Sequence, residues 1–244
     1  MRIIARIDIK NEYAIKSINL EGNRKVGDPN SLGVKYYKDK ADEIIFMDSV
    51  ASLYGNNNLF ELIKKISKNI FIPITIGGGL RTISDMTQAL NCGADKIAIN
   101  SAAIKNPKLI KDAVKIFGSS TVVVSIETKK NAQGDWEIFY KNGREPSKIL
   151  LYDWIKITQE FDCGELLITS INNEGTKKGF DLELLYEVEK MNLRTPIVFS
   201  GGCGKLEHIE NIKSRLKHDA IAIASVLHYD LLKIKDIKKN LGYE

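Results

Sequence analysis

Two hydrophobic rhythms alternate along the chain. Short, densely apolar runs occupy residues 3–9, 43–47, 74–76, 96–99, 122–126, 165–169, 197–200 and 220–222. They are rich in isoleucine and valine, and most lack the in–out alternation of a sheet with one wet face. Such runs read as strands buried on both sides. Between them lie stretches with apolar residues every three or four positions, at 59–68, 83–90, 107–117, 151–161 and 182–191. These read as amphipathic helices. Eight buried strands alternating with helices predict an α/β chain, a parallel sheet closed as a (β/α)8 TIM barrel. An open doubly wound sheet is the alternative, but no GxGxxG follows the first run.

A second regularity is a repeat. The run from Arg2 to Lys10 carries Asp8 two residues before a lysine; the run from Thr121 carries Glu127 two residues before Lys129. Glu43 aligns in the same way with Glu165, Gly78-Gly79 with Gly201-Gly202, and Ser101 with Ser225. The separations stay between 119 and 124 residues. A nearly constant shift over four elements predicts one barrel over 1–244 built from two (β/α)4 halves, about 1–120 and 121–244. Two longer stretches interrupt the pattern on the C-terminal side of the strands. Residues 17–29 are polar and read as a loop. Residues 129–147 alternate around Trp136 and Tyr140, carry Asn142-Gly143, and read as a β-hairpin.

Composition narrows the function classes. The 244 residues are 43% hydrophobic and 27% charged, an ordinary globular balance. No apolar run approaches the roughly 20 residues of a membrane span, and the first run has no leader pattern before it. Cys92, Cys163 and Cys203 are odd in number and widely spaced; His208, His218 and His228 form no ligand pattern. A disulfide framework, a protein metal site and a cofactor are therefore not expected, and a reduced, cytoplasmic protein is. The net charge of +5 is carried largely by lysines at helical spacing, such as Lys108, Lys111 and Lys115. Those read as solvated helix faces, not as a nucleic-acid groove.

The candidate chemistry gathers at strand ends. Asp8 and Glu127 end the first and fifth runs, which stand opposite each other in an eight-stranded barrel. Two carboxylates across one mouth can serve as acid and base on one reacting group; strand-end ion pairs with Lys10, Lys16 or Lys129 are the bland alternative. Gly77-Gly78-Gly79 and Asn100-Ser101 end the third and fourth runs; Gly201-Gly202 and Ala224-Ser225 end the seventh and eighth. Small residues there let backbone N–H groups approach a phosphate. Two such sets fit a ligand phosphorylated at both ends, with Ser170, Asn172, Gly175 and Thr176 available beside it, and Thr169 ending the sixth run. At the opposite face Arg2, Glu43, Lys96 and Glu165 begin strands with alternating sign. They read as a ring of ion pairs on the barrel floor.

These stretches resemble the cyclase subunit of imidazole glycerol phosphate synthase over nearly the whole chain. The likeness runs through 2–10, 27–29, 42–48, 73–79, 93–100, 117–126, 164–179 and 200–208, and closes on Ala224-Ser225-Val-Leu-His228. It implies a (β/α)8 barrel paired with a glutaminase subunit. Ammonia enters at the barrel floor, crosses the interior, and meets a bisphosphorylated aminoimidazole carboxamide ribonucleotide at the mouth. The resemblance makes Asp8 a catalytic aspartate and Lys16 a substrate-contacting lysine. It puts Gly79, Asn100, Ser101, Gly175, Gly202, Ala224 and Ser225 at phosphate positions, Arg2, Glu43, Lys96 and Glu165 at the ammonia gate, and Asp95 at the glutaminase contact.

The chain departs from that pattern in places. Glu127 replaces a second aspartate, Arg6 stands inside the first strand where a small or apolar residue is usual, and Asn172 replaces an aspartate. With Ala51-Ser-Leu-Tyr-Gly55 and Gly143-Arg-Glu-Pro146, these resemble a paralogous branch associated with amidation of bacterial surface sugars. There a barrel–glutaminase pair supports a sugar amidotransferase. Three readings result: the cyclase, the sugar-amidation paralogue, and a barrel that only conducts ammonia. A cation beside Asp8 is expected to depress its pKa.

Overall fold

A computed structural model of the chain describes residues 1–49, 59–215 and 219–243. The Ala51–Gly55 signature lies outside the described residues. Among the described residues twelve strands form one sheet, and eight of them close a parallel barrel. In order around the ring these are β1 (Arg2–Lys10), β4 (Glu43–Asp48), β5 (Ile74–Gly77), β6 (Lys96–Ile99), β7 (Val122–Lys130), β10 (Glu165–Ser170), β11 (Ile197–Ser200) and β12 (Ala220–Ile223). Pairing of Arg2 with Ala220 and of Ile4 with Ala222 shuts the ring. The (β/α)8 class expected from the apolar runs is the fold observed.

The unalternated runs have a direct cause. On β1, Ile3, Ala5, Ile7 and Ile9 pack outward under the helices. Ile4 points inward, into a lumen layer with Ile45, Met47, Ala98, Val123, Leu167, Val198, Ala220 and Ala222. Both faces are dry, so both must be apolar. The outer layer contains Trp154, Tyr36, Phe46 and Phe199, all essentially inaccessible. Burying each such side chain contributes roughly 1.5–3 kcal/mol, and a core of this extent needs no disulfide. The three cysteines are free and buried.

Helices at Leu59–Ile66, Ile83–Asn91, Lys108–Phe117, Leu151–Glu160 and Leu182–Lys190 occupy the amphipathic stretches. Thr82 and Asp85 form a reciprocal capping box that starts the helix at Ile83. Among the described residues, no helix is long and apolar enough to cross a membrane.

The stretch 17–29 is a correction. It forms most of a hairpin, β2 (Tyr13–Ile18) and β3 (Glu21–Gly27), with β2 antiparallel to β1. Its turn places Asn19 at φ 52° and Leu20 at φ 63° without a glycine, a conformation in which asparagine is tolerated and leucine is unusual. Leu20 is held there by burial against Phe139 and Ile171. Asn19 anchors the tip, donating from Nδ2 to the carbonyls of Ile171 and Asn172. The second excursion is the expected hairpin: β8 (Trp136–Tyr140) pairs with both β7 and β9 (Glu145–Leu150).

Candidate functional site

The inward residues of β1 rise from floor to mouth as Arg2, Ile4, Arg6 and Asp8, because strand side chains alternate. Asp8 is 3% exposed and Arg6 1%. The Arg6 Nε donates to Asp8 Oδ1 at 2.9 Å. Its Nη1 donates to Thr169 Oγ1 on β10 at 3.0 Å, so the guanidinium reaches across the lumen. Lys16, on β2, is folded into the same mouth: its Nζ lies 3.6 Å from Asp8 Oδ2 and bonds Glu174. Burial opposes the charge on Asp8, but the Arg6 and Lys16 cations outweigh it and hold the carboxyl below its usual range. The expected effect of a cation beside Asp8 is therefore present.

Glu127 ends the inward row of β7, 6% exposed. Its Oε2 accepts from the backbone N–H of Gly143 at 2.7 Å, at the tip of the β8–β9 hairpin. Burial pushes its carboxyl up to about 7, against the pull of Arg6 and the Gly143 N–H, with Asp8 and Glu174 adding repulsion. The two carboxylates thus share one mouth but differ in electrostatic state.

Glu127 faces a cavity of about 270 Å³ that Gly78, Gly79, Asn100, Ser101, Lys105 and Lys141 also line. Asn100 donates to the Phe139 carbonyl and Ser101 Oγ accepts from the Lys141 N–H, so the hairpin roofs this pocket. Gly78 is at φ +93°, and a Cβ there would lie 2.2 Å from the Asp48 carbonyl oxygen. The turn can be built only from glycine.

The second glycine set differs. Gly201, Gly202, Ala224 and Ser225 do meet, together with Glu174 and Ser200, but the space between them is about 10 Å³. This side of the mouth is nearly filled. Gly175 serves backbone packing, since a Cβ would sit 2.0 Å from the Ser17 carbonyl oxygen on β2. Thr176 Oγ1 donates to the Asn173 carbonyl at 2.7 Å, and the side chain of Asn172 is exposed.

At the floor, Arg2, Glu43, Lys96 and Glu165 form a closed square. Arg2 bonds Glu43 at 3.2 Å and also Glu165; Lys96 bonds Glu43 at 2.8 Å and Glu165 at 3.1 Å. The acids are buried, and the bases are partly exposed, Arg2 by 35% and Lys96 by 19% of their side chains. Asp95, beside the square and exposed, accepts the Ile74 N–H at 2.8 Å.

Residues 2–233 match the family model described as histidine biosynthesis protein. The chain belongs to the histidine biosynthesis protein family. It is 53% identical over 207 residues to the imidazole glycerol phosphate synthase subunit HisF of Legionella pneumophila, covering 85% of this chain and 97% of that one. It is 41% identical over 244 residues to the subunit of the same name from Clostridium botulinum (strain Okra / Type B1), covering 100% of this chain and 96% of that one. The Petrotoga mobilis subunit of that name is 41% identical over 241 residues, 98% of this chain and 95% of that one.

Three site residues of this family member were not anticipated from sequence. Glu174 lies between Asn172 and Gly175 in a stretch flagged only for its small residues. His228 closes the resemblance, yet nothing marked its role; it is 8% exposed, with Nδ1 2.6 Å from Tyr36 Oη and no partner at Nε2. Burial, then the nearby Lys16 cation, pushes the imidazole down to about 4. Tyr36 comes from the helix Pro29–Lys38.

Proposed function

We propose that this chain is the ammonia-using cyclase subunit of an imidazole glycerol phosphate synthase. It converts the bisphosphorylated aminoimidazole carboxamide ribonucleotide and ammonia into imidazole glycerol phosphate, aminoimidazole carboxamide ribonucleotide and water. The observation that carries the reading is the convergence of Asp8, Glu127 and a glycine-walled cavity at one end of a barrel whose other end is an ionic square. In this reading a small neutral nucleophile released at the square crosses the lumen to the carboxylates, passing the inward layer of Ile4, Ile45, Met47 and Val123 and the Arg6 guanidinium.

In this reading Asp8 and Glu127 are the catalytic carboxylates. Lys16, Thr169, Gly175, Thr176 and Gly201 contact the ligand. One phosphate lies against Gly79, Asn100 and Ser101, the other against Gly202, Ala224 and Ser225, once the ligand has opened that side. Arg2, Glu43, Lys96 and Glu165 gate ammonia from a glutaminase subunit docked at the floor, with Asp95 in the contact. The matched carboxylates and glycine turns fit two half-barrels, about 1–120 and 121–244.

A second reading rests on Arg6. A carboxylate neutralised by a buried guanidinium is a poor acid, which suits a paralogue that feeds ammonia to a sugar amidotransferase. One assay separates the two. The purified chain is mixed with the bisphosphorylated ribonucleotide and excess ammonium salt, without glutaminase, and loss of the ribonucleotide is followed. Turnover supports the cyclase. Binding without turnover favours the second reading.

A further inference from the structure

Among the described residues, six charged or titratable side chains converge at the centre of the mouth. Arg6 and Asp8 come from β1, Lys16 from β2, Glu127 from β7, Glu174 from the turn after β10, and His228 from the short helix after β12. Their pairing is uneven. Asp8 holds Arg6 at 2.9 Å and Lys16 at 3.6 Å, and Lys16 also bonds Glu174. Two cations thus balance two carboxylates. His228 contributes no charge near neutrality. Glu127 is the carboxylate left over: among the described residues no ion pair is formed to it, and its bond is to a backbone N–H. Asp48 at the end of β4, Arg81, Lys105 and Lys141 line the same cavity; none of the four forms an ion pair with Glu127, and Lys141 is engaged 2.8 Å from Glu145.

An unpaired buried carboxylate is relieved by taking a proton, whereas one gripped by two cations has no reason to take one. The Thr169 bond fixes the guanidinium from its far side, so Arg6 cannot turn from Asp8 to Glu127 without losing two hydrogen bonds. We propose that Arg6 is a positioning residue that divides the work of the two carboxylates. It locks Asp8 as a permanent anion and leaves Glu127 as the single group that gives and recovers a proton in each turnover.

The inference rests on the cyclase reading. In it the Glu127 carboxyl hands a proton to each group that leaves carbon, the oxygen departing as water and then the nitrogen as the amine of the released carboxamide ribonucleotide. After each departure the resulting carboxylate recovers a proton from the former ammonia nitrogen, which becomes positive each time it forms a bond to carbon. Glu127 ends the cycle as it began. Asp8 stays ionised throughout and faces the developing positive charge.

The test is the pH dependence of ammonium-fed turnover at constant free ammonia. The wild type is expected to show an ionisation near neutrality that Glu127→Gln abolishes and Asp8→Asn retains at a lower kcat. Arg6→Gln should lower kcat about tenfold or more, a modest share of what acid–base catalysis supplies, with little change in KM, and should add a second ionisation as Asp8 is released. Arg6→Lys, which keeps a cation, should recover most of the rate. A wild-type profile in Arg6→Gln overturns the proposal. So does a near-neutral ionisation that survives Glu127→Gln and disappears in Asp8→Asn. If the wild type turns nothing over, the cyclase reading fails by itself. Carboxyl carbon NMR of the wild type then decides the role of Arg6. Glu127 titrating near neutrality with Asp8 ionised well below it supports the assignment; the reverse order overturns it. That measurement also stands if the Arg6 variants do not fold.

Discussion

The phenol of Tyr36 and Nδ1 of His228 lie 2.6 Å apart in a buried pair. Burial raises the Tyr36 pKa, so the phenol keeps its proton, and the imidazole is neutral above about 4. If the phenol donates to Nδ1, only Nε2–H is left without a partner. If instead it accepted from Nδ1–H, both the phenol hydrogen and the Nε2 lone pair would be stranded. Each stranded buried group costs about 1–3 kcal/mol, so the first arrangement is the stable one, and His228 points an N–H donor away from Tyr36.

Glu127 and His228 should oppose each other in the pH dependence of stability. Glu127 rises from its usual 4.5 to about 7, so the folded state holds its proton more tightly. Its contribution is fully present below 4.5 and is lost as pH rises to 7. His228 falls from 6.5 to about 4, so its contribution is present above 6.5 and is lost as pH falls toward 4. Each amounts to about 3 kcal/mol, with opposite sign over nearly the same window. Wild-type stability is expected to be nearly flat between pH 4.5 and 6.5 from these two groups. Glu127→Gln should lose stability on acidification, and His228→Gln should gain it. Urea midpoints across that range check both signs, and parallel slopes in the two variants would contradict the assignment.

The two turn glycines Gly118 and Gly202 provide a matched comparison. Both have positive φ, +86° and +99°. A Cβ on Gly118 would meet nothing within 4 Å, whereas one on Gly202 would lie 1.9 Å from the Gly179 carbonyl oxygen. Gly118 has ψ 152°, a combination essentially open only to glycine, so Gly118→Ala should cost about 1–3 kcal/mol from backbone strain alone. Gly202→Ala must also displace backbone, including the Gly179 N–H bond to the Gly202 carbonyl at 2.8 Å. It should cost clearly more in urea unfolding and weaken binding of the bisphosphorylated ligand, while Gly118→Ala leaves binding intact.

The barrel was readable because all eight of its strands are dry on both faces, which writes continuous apolar runs into the chain. The β2–β3 hairpin was not, since its turn is Asn19-Leu20 and β3 buries no residue. Asp8, Glu127 and the glycine turns were readable because they end strands on the side where barrel sites are built. Glu174 and His228 carry no local signal. Their meaning lies in partners 158 and 192 residues away, Lys16 and Tyr36, and no spacing rule reaches that far. The near closure of the Gly201–Gly202 side is likewise a matter of packed volume, which residue types do not reveal.

The cysteines should be silent in the native state. Burial pushes the thiols of Cys163 and Cys203 up to about 12, and all three cysteines are less than 9% exposed. A thiolate is the reacting species. An aromatic disulfide reagent at pH 8 is expected to leave the folded chain unlabelled and to titrate three thiols in denaturant. Rapid labelling of the native protein would mean that one of these sites opens.

The floor square offers a test of gating. Glu165 is 5% exposed and joins both Arg2 and Lys96. Glu165→Gln turns two bases facing two acids into two bases facing Glu43 alone. Breaking a fully buried pair costs about 3–5 kcal/mol, but both bases here reach solvent, Arg2 more than Lys96, and can turn toward water. A loss of about 1–2 kcal/mol is therefore expected, following the smaller worth of solvated pairs. With the square open, ammonia released by a glutaminase should escape before it reaches the mouth. The ratio of glutamine-fed to ammonium-fed turnover should fall in Glu165→Gln, and Glu165→Asp should restore part of it. An unchanged ratio in a folded variant would show that the square only staples the barrel floor.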